Sequence, residues 1–351
     1  MKKSKKKLFI IDGYAILYRS HYALIRNPLV TSYGLHTSAL FGFSNQIQKI
    51  ITDENPDYFV CAFDSKEKTF RHKMYPEYKA NRPEMPVELQ EQIPHLWELL
   101  EAMNIPVLKK PGYEADDIIG TIAESVKDND IESYIVSGDK DFMQLINEDI
   151  FLYTPGKRNA SPIIYGIDGV VEKWGLPPEK FIDLLALMGD SSDNVPGVAG
   201  VGVKTAVKLL KEYGSLSKVF DNTDKITNKR VHDGLVNCRE DAYLSKELVT
   251  IIKDVDIEFA IEQFEIHAYD QEALVKKYEE LEFHALLKQI GTKSNSLQNK
   301  QIEKKYSTVT NEKDLIELVN LVETSDLLSV DLVTTSVYPM TADIVGISLS
   351  V

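Results

Sequence analysis

The sequence predicts an α/β fold, a mostly parallel sheet flanked by helices, followed by an all-helical region and the start of a further α/β unit. Two patterns carry this reading. Over the first 165 residues, short apolar runs alternate with stretches whose apolar residues recur at helical spacing, as strand–helix–strand repeats do. From Gly166 onward the β-like runs disappear and helical spacing dominates to about residue 290. At 351 residues the chain exceeds one ordinary core, so several domains are expected.

The elements follow in order. KLFIID, YFVCAFD, IPVLK, SYIVSGD and IFLYTP are the expected strands, with helices between them at about Ser38–Ile51, Pro86–Met103, Asp116–Lys127 and Phe142–Asn147. Lys66–Pro86 breaks the rhythm. It is basic and aromatic (Phe70, Tyr75, Tyr78) and too long for an ordinary connection, so it is expected to arch over the functional edge. Further helices are expected at Pro177–Leu187, Val203–Tyr213, Ser215–Asp221, Ala242–Thr250 and Asp270–Leu287. Thr292–Lys305 is almost free of apolar residues and reads as a linker. Tyr306–Val351 opens a new unit: a strand, a helix at Glu312–Thr324, then the strands LLSVDLVTT and ADIVGISLSV. A sheet left unfinished there buries little core, so a fragment is expected. The domains therefore run 1–165, 166–290, a linker at 291–305, and 306–351.

Composition narrows the class. Cys61 and Cys238 are the only cysteines, which excludes a disulfide framework and fits a reducing cytoplasm. The N-terminal KKSKKK is followed by only LFII before Asp12, too short for an export signal. No run approaches the ~20 apolar residues of a membrane span. The net charge of −14 argues at first against a nucleic-acid partner. Between Lys66 and Arg82, however, six Lys and Arg face Glu67 and Glu77, a local charge of +4.

The strongest chemical signal is acidic. Asp12, Asp64, Glu114, Asp116, Asp117, Asp139, Asp141, Asp190 and Asp193 stand at strand ends, a helix start and a turn. In open α/β sheets the carboxyl edge of the strands binds ligands. Carboxylates converging there repel one another unless cations sit between them. Without Cys or His clusters the set suits Mg²⁺ or Mn²⁺ rather than zinc. A pair of such ions serves in-line attack on a phosphodiester, so a metal-dependent nuclease is expected. Taken singly, each acid has a plainer reading as a turn residue, an N-cap or a first-turn acid. Glu114, Asp116 and Asp117 on one turn cost repulsion that a cap does not require.

GDSSDNVPGVAGVGVKTA adds a second signal. Asp190 and Asp193, three apart, are expected to face the metals from a helix end. Gly197, Gly200 and Gly202 then lead to Lys204 and Thr205 at the start of an apolar helix. A glycine-rich turn entering a helix exposes amides that hold phosphate oxygens without reading bases. The plain alternative is an inter-helix hairpin with glycine caps.

Together IIDGYAILYRS, AFDSKEKTFRHKMYPEYKANRP, PGYEADDIIGTIA, VSGDKDFMQL and MGDSSDNVPGVAGVGVKTA resemble the 5′-nuclease part of bacterial DNA polymerase I, within the flap endonuclease and PIN-like nuclease group. The likeness runs over about residues 7–290. It implies a PIN-like catalytic domain, a helical domain with a helix–hairpin–helix (H3TH) element, and two Mg²⁺ or Mn²⁺ ions. It implies cleavage of DNA at 5′ ends, nicks and 5′ flaps in replication and repair, RNA primers on DNA included, by a monomer. It makes the nine acids metal-site residues, Arg71, Lys79 and Arg82 arch cations, and Tyr18 and Arg19 part of the motif after the first strand. A K⁺ on backbone oxygens near Gly197–Gly202 is also implied. Tyr306–Val351 resembles the opening of a ribonuclease H-like 3′→5′ exonuclease domain. Where an active one carries Asp-x-Glu, this chain has Asp331-Leu332-Val333, which implies no proofreading.

On this reading Arg71 and Lys79 orient the scissile phosphate, Lys204 and the hairpin amides hold duplex phosphates, and Tyr18 either stacks on a terminal base or packs in the core. The rivals are a structure-specific ribonuclease on the same scaffold and a DNA-binding module whose acids are a remnant.

Overall fold

The computed structural model describes residues 5–127, 129–156, 160–297, 308–323, 328–335 and 343–350. They divide into two compact units, Met1–Gly291 and Thr292–Val351.

The first unit opens with β1 (Lys6–Asp12), α1 (Gly13–Ala23), α2 (Ser38–Glu54) and β2 (Tyr58–Ala62). The basic, aromatic stretch after β2 is mostly irregular, with short α3 (Phe70–Met74) inside it and α4 (Val87–Gln90) beyond it. Next come α5 (Ile93–Ala102), β3 (Val107–Leu108), α6 (Ala115–Val126) and β4 (Ile131–Val136). A 3₁₀ turn (Lys140–Leu145), β5 (Ile150–Thr154) and β6 (Ile163–Tyr165) complete this part. The sheet order is β3-β2-β1-β4-β5-β6, parallel except for the β6 edge.

Alternation along β1 divides the core. Leu8 and Ile10 pack with Ile118, Ile119 and Ile122 of α6, whereas Phe9 and Ile11 pack with Leu17, Leu40, Phe43 and Leu96 from α1, α2 and α5. The sheet is thus covered on both faces, as parallel strands require.

Some expectations are corrected. Pro86–Met103 is two helices rather than one, because Pro94 has no amide to continue a ladder and sits in the first turn of α5. In place of the expected Phe142–Asn147 helix, Phe142–Leu145 is the tail of the 3₁₀ turn, which Asp139 caps through Asp141 N, and the chain turns extended at Ile146. α1, β6 and two later helices, Ile167–Trp174 and Lys229–Asn237, lie outside the expected set of elements.

The helical part comprises α7 (Ile167–Trp174), α8 (Phe181–Met188), α9 (Val203–Tyr213), α10 (Leu216–Asp221), α11 (Lys229–Asn237), α12 (Arg239–Val249), α13 (Gln271–Glu280) and α14 (His284–Leu297). The expected Asp270–Leu287 helix breaks at Glu282, which takes φ +57°. α14 also runs into the stretch expected to be a linker, since a nucleated helix gains one backbone bond for each residue added. Leu274, Tyr278, Leu281 and Leu286 return to the α2–α5 face of the sheet, where Tyr278 Oη accepts from Gln48 Nε2 at 2.8 Å.

In the second unit α15 (Glu312–Glu323) is followed by β7 (Ser329–Thr334) and β8 (Ile344–Ser350), an antiparallel pair. Residues 308–310 of its expected first strand belong to no strand, and Tyr306 and Ser307 lie outside the described residues. Leu315, Ile316, Val330, Leu332 and Ile347 are exposed. Among the described residues no helix is long and apolar enough to cross a membrane.

Candidate active site

The strand order reverses direction at β1: β2 and β3 build to one side, β4 and β5 to the other. The crevice beyond the carboxyl ends of β1 and β4 is therefore the switch point at which open α/β sheets take ligands. Asp12 closes β1 and caps α1, accepting from Ala15 N at 3.3 Å. Its other oxygen accepts from Ser137 Oγ at 2.8 Å, and that Oγ accepts from Asp139 N at 3.0 Å. Asp139 Oδ1 in turn accepts from Asp141 N at 2.9 Å. Across the crevice Asp64 Oδ1 accepts from Ala115 N at 2.8 Å, and Glu114 caps α6, which sets Asp116 in its first turn.

Electrostatics tie these acids together. Burial, then the charges of Asp64 and Asp139, raise Asp12 to about 7 against the pull of the Ser137 bond. Burial and the charges of Asp12 and Asp139 push Asp116 well above the carboxylate range. Burial and Asp139 raise Asp141 to about 7, with Asp190 and Asp193 adding to it. Asp64 stands exposed at the mouth, yet the surrounding protein and Glu114 still raise it. This crevice therefore holds less negative charge near neutrality than its composition suggests.

Basic groups lean on the rim. Lys140 Nζ bonds Asp190 and lies 3.5 Å from Asp141 Oδ1. Burial would raise Asp190, but the Lys140 bond and charge more than offset it and lower the carboxyl. Lys79 Nζ is 2.6 Å from Glu114 Oε1 and 3.7 Å from Asp193 Oδ2, and Arg82 Nε donates to Asp193 Oδ1 at 3.1 Å. Tyr78 Oη donates to Glu114 at 3.1 Å. Sequence reasoning named Tyr78 only as an aromatic of the basic stretch and did not single out Ser137 or Lys140, although all three lie inside quoted motifs.

The acids fit hard divalent cations. Their donors are all oxygen, and Asp141 Oδ1 is a buried atom without a hydrogen-bond partner, facing only the Lys140 ammonium at 3.5 Å. A buried carboxylate oxygen left so is costly unless a ligand completes it.

Four expectations need correction. Arg71 leaves no donor free for a phosphate: it is 2 % exposed, its guanidinium pairs with both oxygens of Asp117 at 2.7 and 2.8 Å, and Nη1 also lies 3.5 Å from Glu114 Oε2. Asp117 is fully buried, faces Arg71 rather than the other acids, and accepts from Glu114 N in a reciprocal cap. Arg19 Nη2 donates to the Pro155 and Gly156 carbonyls, which ties α1 to the end of β5. Asp190 and Asp193 come from a tight turn after α8, closed by Asp190 and Val195 pairing backbone to backbone, rather than from a helix end. Tyr18 is half-buried and stacks on Tyr22, with ring centroids 6.3 Å apart.

At the hairpin Gly197 and Gly200 take φ +63° and +83°, whereas Gly202 has an ordinary φ and caps α9. A Cβ on Gly197 would meet Gly189 N at 2.3 Å. Lys204 is exposed and Thr205 half-buried in the first turn of α9. Not all hairpin amides face outward: Gly197 N donates to Ser245 Oγ and Val198 N to Leu187 O.

Residues 7–175 match the family described as 5′-3′ exonuclease, N-terminal resolvase-like domain, and residues 176–272 its C-terminal SAM fold. A relative from Aquifex aeolicus named 5′-3′ exonuclease is 40% identical over 285 residues, covering 81% of this chain and 95% of that protein. The chain belongs to the 5′-3′ exonuclease family. DNA polymerase I of Bacillus subtilis is likewise 40% identical over 298 residues, which cover 85% of this chain but 34% of the polymerase. The chain thus spans about a third of the length of such polymerase relatives. In fold, the family member resembles bacteriophage T5 5′-exonuclease with bound divalent metal ions (zinc), at TM-score 0.60 and 21% identity over 79% of this chain and 98% of that one. It also resembles the catalytic core of Rad2 in complex with DNA substrate, at TM-score 0.54 and 18% identity over 79% and 88% of the two chains.

Proposed function

We propose that this member of the family is a divalent-metal-dependent nuclease that cleaves DNA at 5′ ends, nicks and 5′ flaps, including RNA primers on DNA. The carrying observation is the acid crevice at the sheet's switch point, where buried Asp12 and half-buried Asp141 are both raised to about 7 and one buried Asp141 oxygen has no hydrogen-bond partner, only the Lys140 ammonium at 3.5 Å. Asp12, Asp64, Glu114, Asp116, Asp139, Asp141, Asp190 and Asp193 hold two ions, Mg²⁺ or Mn²⁺. Bound there, such ions lower the pKa of a water and neutralise charge on the leaving oxygen.

This chain's own residues do the rest. Ser137 holds Asp12 and the Asp139 turn in register. Lys79 and Arg82, now paired with Glu114 and Asp193, exchange those partners for the scissile phosphate and a neighbouring one when DNA enters. Lys204 and Thr205 hold duplex phosphates at a fixed distance, so structure rather than sequence is read. The hairpin around Gly197–Gly202 binds K⁺ through backbone oxygens. Residues 1–165 supply catalysis and 166–290 grip the duplex, in a monomer.

The test is cleavage of a 5′-flap DNA in Mg²⁺, with EDTA and an all-RNA flap alongside. DNA cleavage that EDTA abolishes and Asp141→Ala removes, with flap binding retained, is expected. Preference for the RNA flap would make it a ribonuclease. Tight binding without cleavage in either metal would leave only a DNA-binding module.

A further inference from the structure

Asp117 sits among the acids in sequence yet uses its oxygens elsewhere. Oδ1 accepts from Arg71 Nη2 at 2.8 Å and from Ile252 N at 2.9 Å. Oδ2 accepts from Arg71 Nη1 at 2.7 Å and from Glu114 N at 3.1 Å. An ionised carboxylate has about four lone-pair sites, so Asp117 has none left for a metal. Arg71 is equally committed: Nε donates to Leu248 O and Nη2 also to Thr250 O, both at 2.8 Å, and Nη1 lies 3.5 Å from Glu114 Oε2.

The backbone that receives these bonds leaves the end of α12. Gln144 grips the same segment, donating to Val249 O and accepting from Ile251 N, each at 2.9 Å, and Thr121 Oγ1 accepts from Val255 N at 3.1 Å. Side chains from α3, α6 and the 3₁₀ turn thus bind one strap of chain. α12 packs on α8, the helix that precedes Asp190 and Asp193, and its Ser245 holds the hairpin through Gly197 N. The strap therefore joins the α6 acids to the acids and the hairpin of the helical part. We infer that Arg71 and Asp117 are positioning residues that set the spacing of these two halves of the crevice and touch neither metal nor DNA; the inference rests on the nuclease reading above. A buried ion pair is a poor device for stability alone, since apolar residues of similar volume hold a loop as well. A two-pronged fork fixes angle as well as distance.

Kinetics on the intact chain test this, with Asp117→Asn and Arg71→Lys set beside Asp116→Asn. Mg²⁺ affinity is read by calorimetry, kcat and KM on a 5′-flap DNA, and exchange at the Ile252 amide. Asp117→Asn and Arg71→Lys should keep the parent's Mg²⁺ affinity and KM while kcat falls on the order of 100-fold, the effect of a misplacement near 1 Å. Added Mg²⁺ should not restore the rate, and the Ile252 amide should exchange faster. Asp116→Asn should lose Mg²⁺ affinity. Should either variant of the pair fail to fold, Gln144→Leu loosens the strap with the ion pair intact and should show a smaller fall in kcat alone. A loss of Mg²⁺ affinity in Asp117→Asn matching Asp116→Asn would make it a ligand and overturn the inference. A raised KM at unchanged kcat in Arg71→Lys, or no change in kcat in any of the three, would overturn it as well. If the parent itself cuts no flap, the nuclease reading fails, while calorimetry and amide exchange still decide what the pair does.

Discussion

On the proposed metal-site reading, protons and divalent ions would compete for the same carboxylate oxygens. Asp12 and Asp141 titrate at an ordinary 3.8 when unfolded and at about 7 when folded. Between those values the folded, ion-free chain holds protons that the unfolded chain has released, so their contribution to stability falls as pH rises through that window. Ions need the ionised form, so Mg²⁺ should raise Tm more near pH 8 than near pH 5. Melting curves in EDTA and in Mg²⁺ check both slopes, and a Mg²⁺ shift that shrinks as pH rises would remove the two acids from the metal site. The rim cations divide differently. Lys79→Ala should lower the single-turnover rate more than it lowers duplex affinity. Lys204→Ala should weaken binding and flatten its salt dependence by about one phosphate contact. Exchanged phenotypes would reverse the assignment. Arg71 shows what residue-level reading misses: a basic residue in a basic, aromatic stretch looks like a phosphate ligand until its partner is known. That partner, Asp117, looks like one more metal acid, and only three-dimensional packing pairs the two.

Elements were legible where hydrophobic period was strong. β1, β2, β4 and β5 announce themselves as mainly apolar runs, the first three ending near an acid, and α6 and α9 by their one-sided patterns. α1 stayed hidden because GYAILYRSHYA mixes apolar and polar residues with little facial contrast, and β6 because Ile163–Tyr165 is a short edge strand. Nor does sequence spacing reveal that α13 and α14 return to the sheet. Tyr278, buried beside Phe283 and bonded to Gln48, is the centre of that return. Tyr278→Ala should cost about 3–5 kcal/mol, as large buried aromatics do, with Mg²⁺ affinity spared once the fold is populated. A chemical-denaturation midpoint equal to the parent's would show that the return helices carry no load. Gly197→Ala should disturb the hairpin, since it needs both a positive φ and room against Gly189. Duplex binding should fall with Tm, and a variant equal to the parent in both would contradict that geometry.

At the scale of the whole molecule, the acid crevice belongs entirely to the unit Met1–Gly291. The second unit offers exposed apolar side chains on α15, β7 and β8 and an Asp331-Leu332-Val333 triplet in place of paired acids. Deleting Gln301–Val351 should leave 5′-nuclease activity unchanged, and the intact chain should not degrade a 3′ single strand. Degradation of a 3′ strand that survives Asp139→Ala would demand a second active centre.

The crevice is also spread along the order of synthesis. β1 leaves the ribosome first, yet its neighbour β4 follows more than a hundred residues later, Asp190 and Asp193 later still, and the Leu248–Ile252 strap last. A chain still being translated therefore has its acids but not their arrangement. Metal-dependent cleavage should therefore appear only once the residues through Ile252 have left the ribosome and met the sheet.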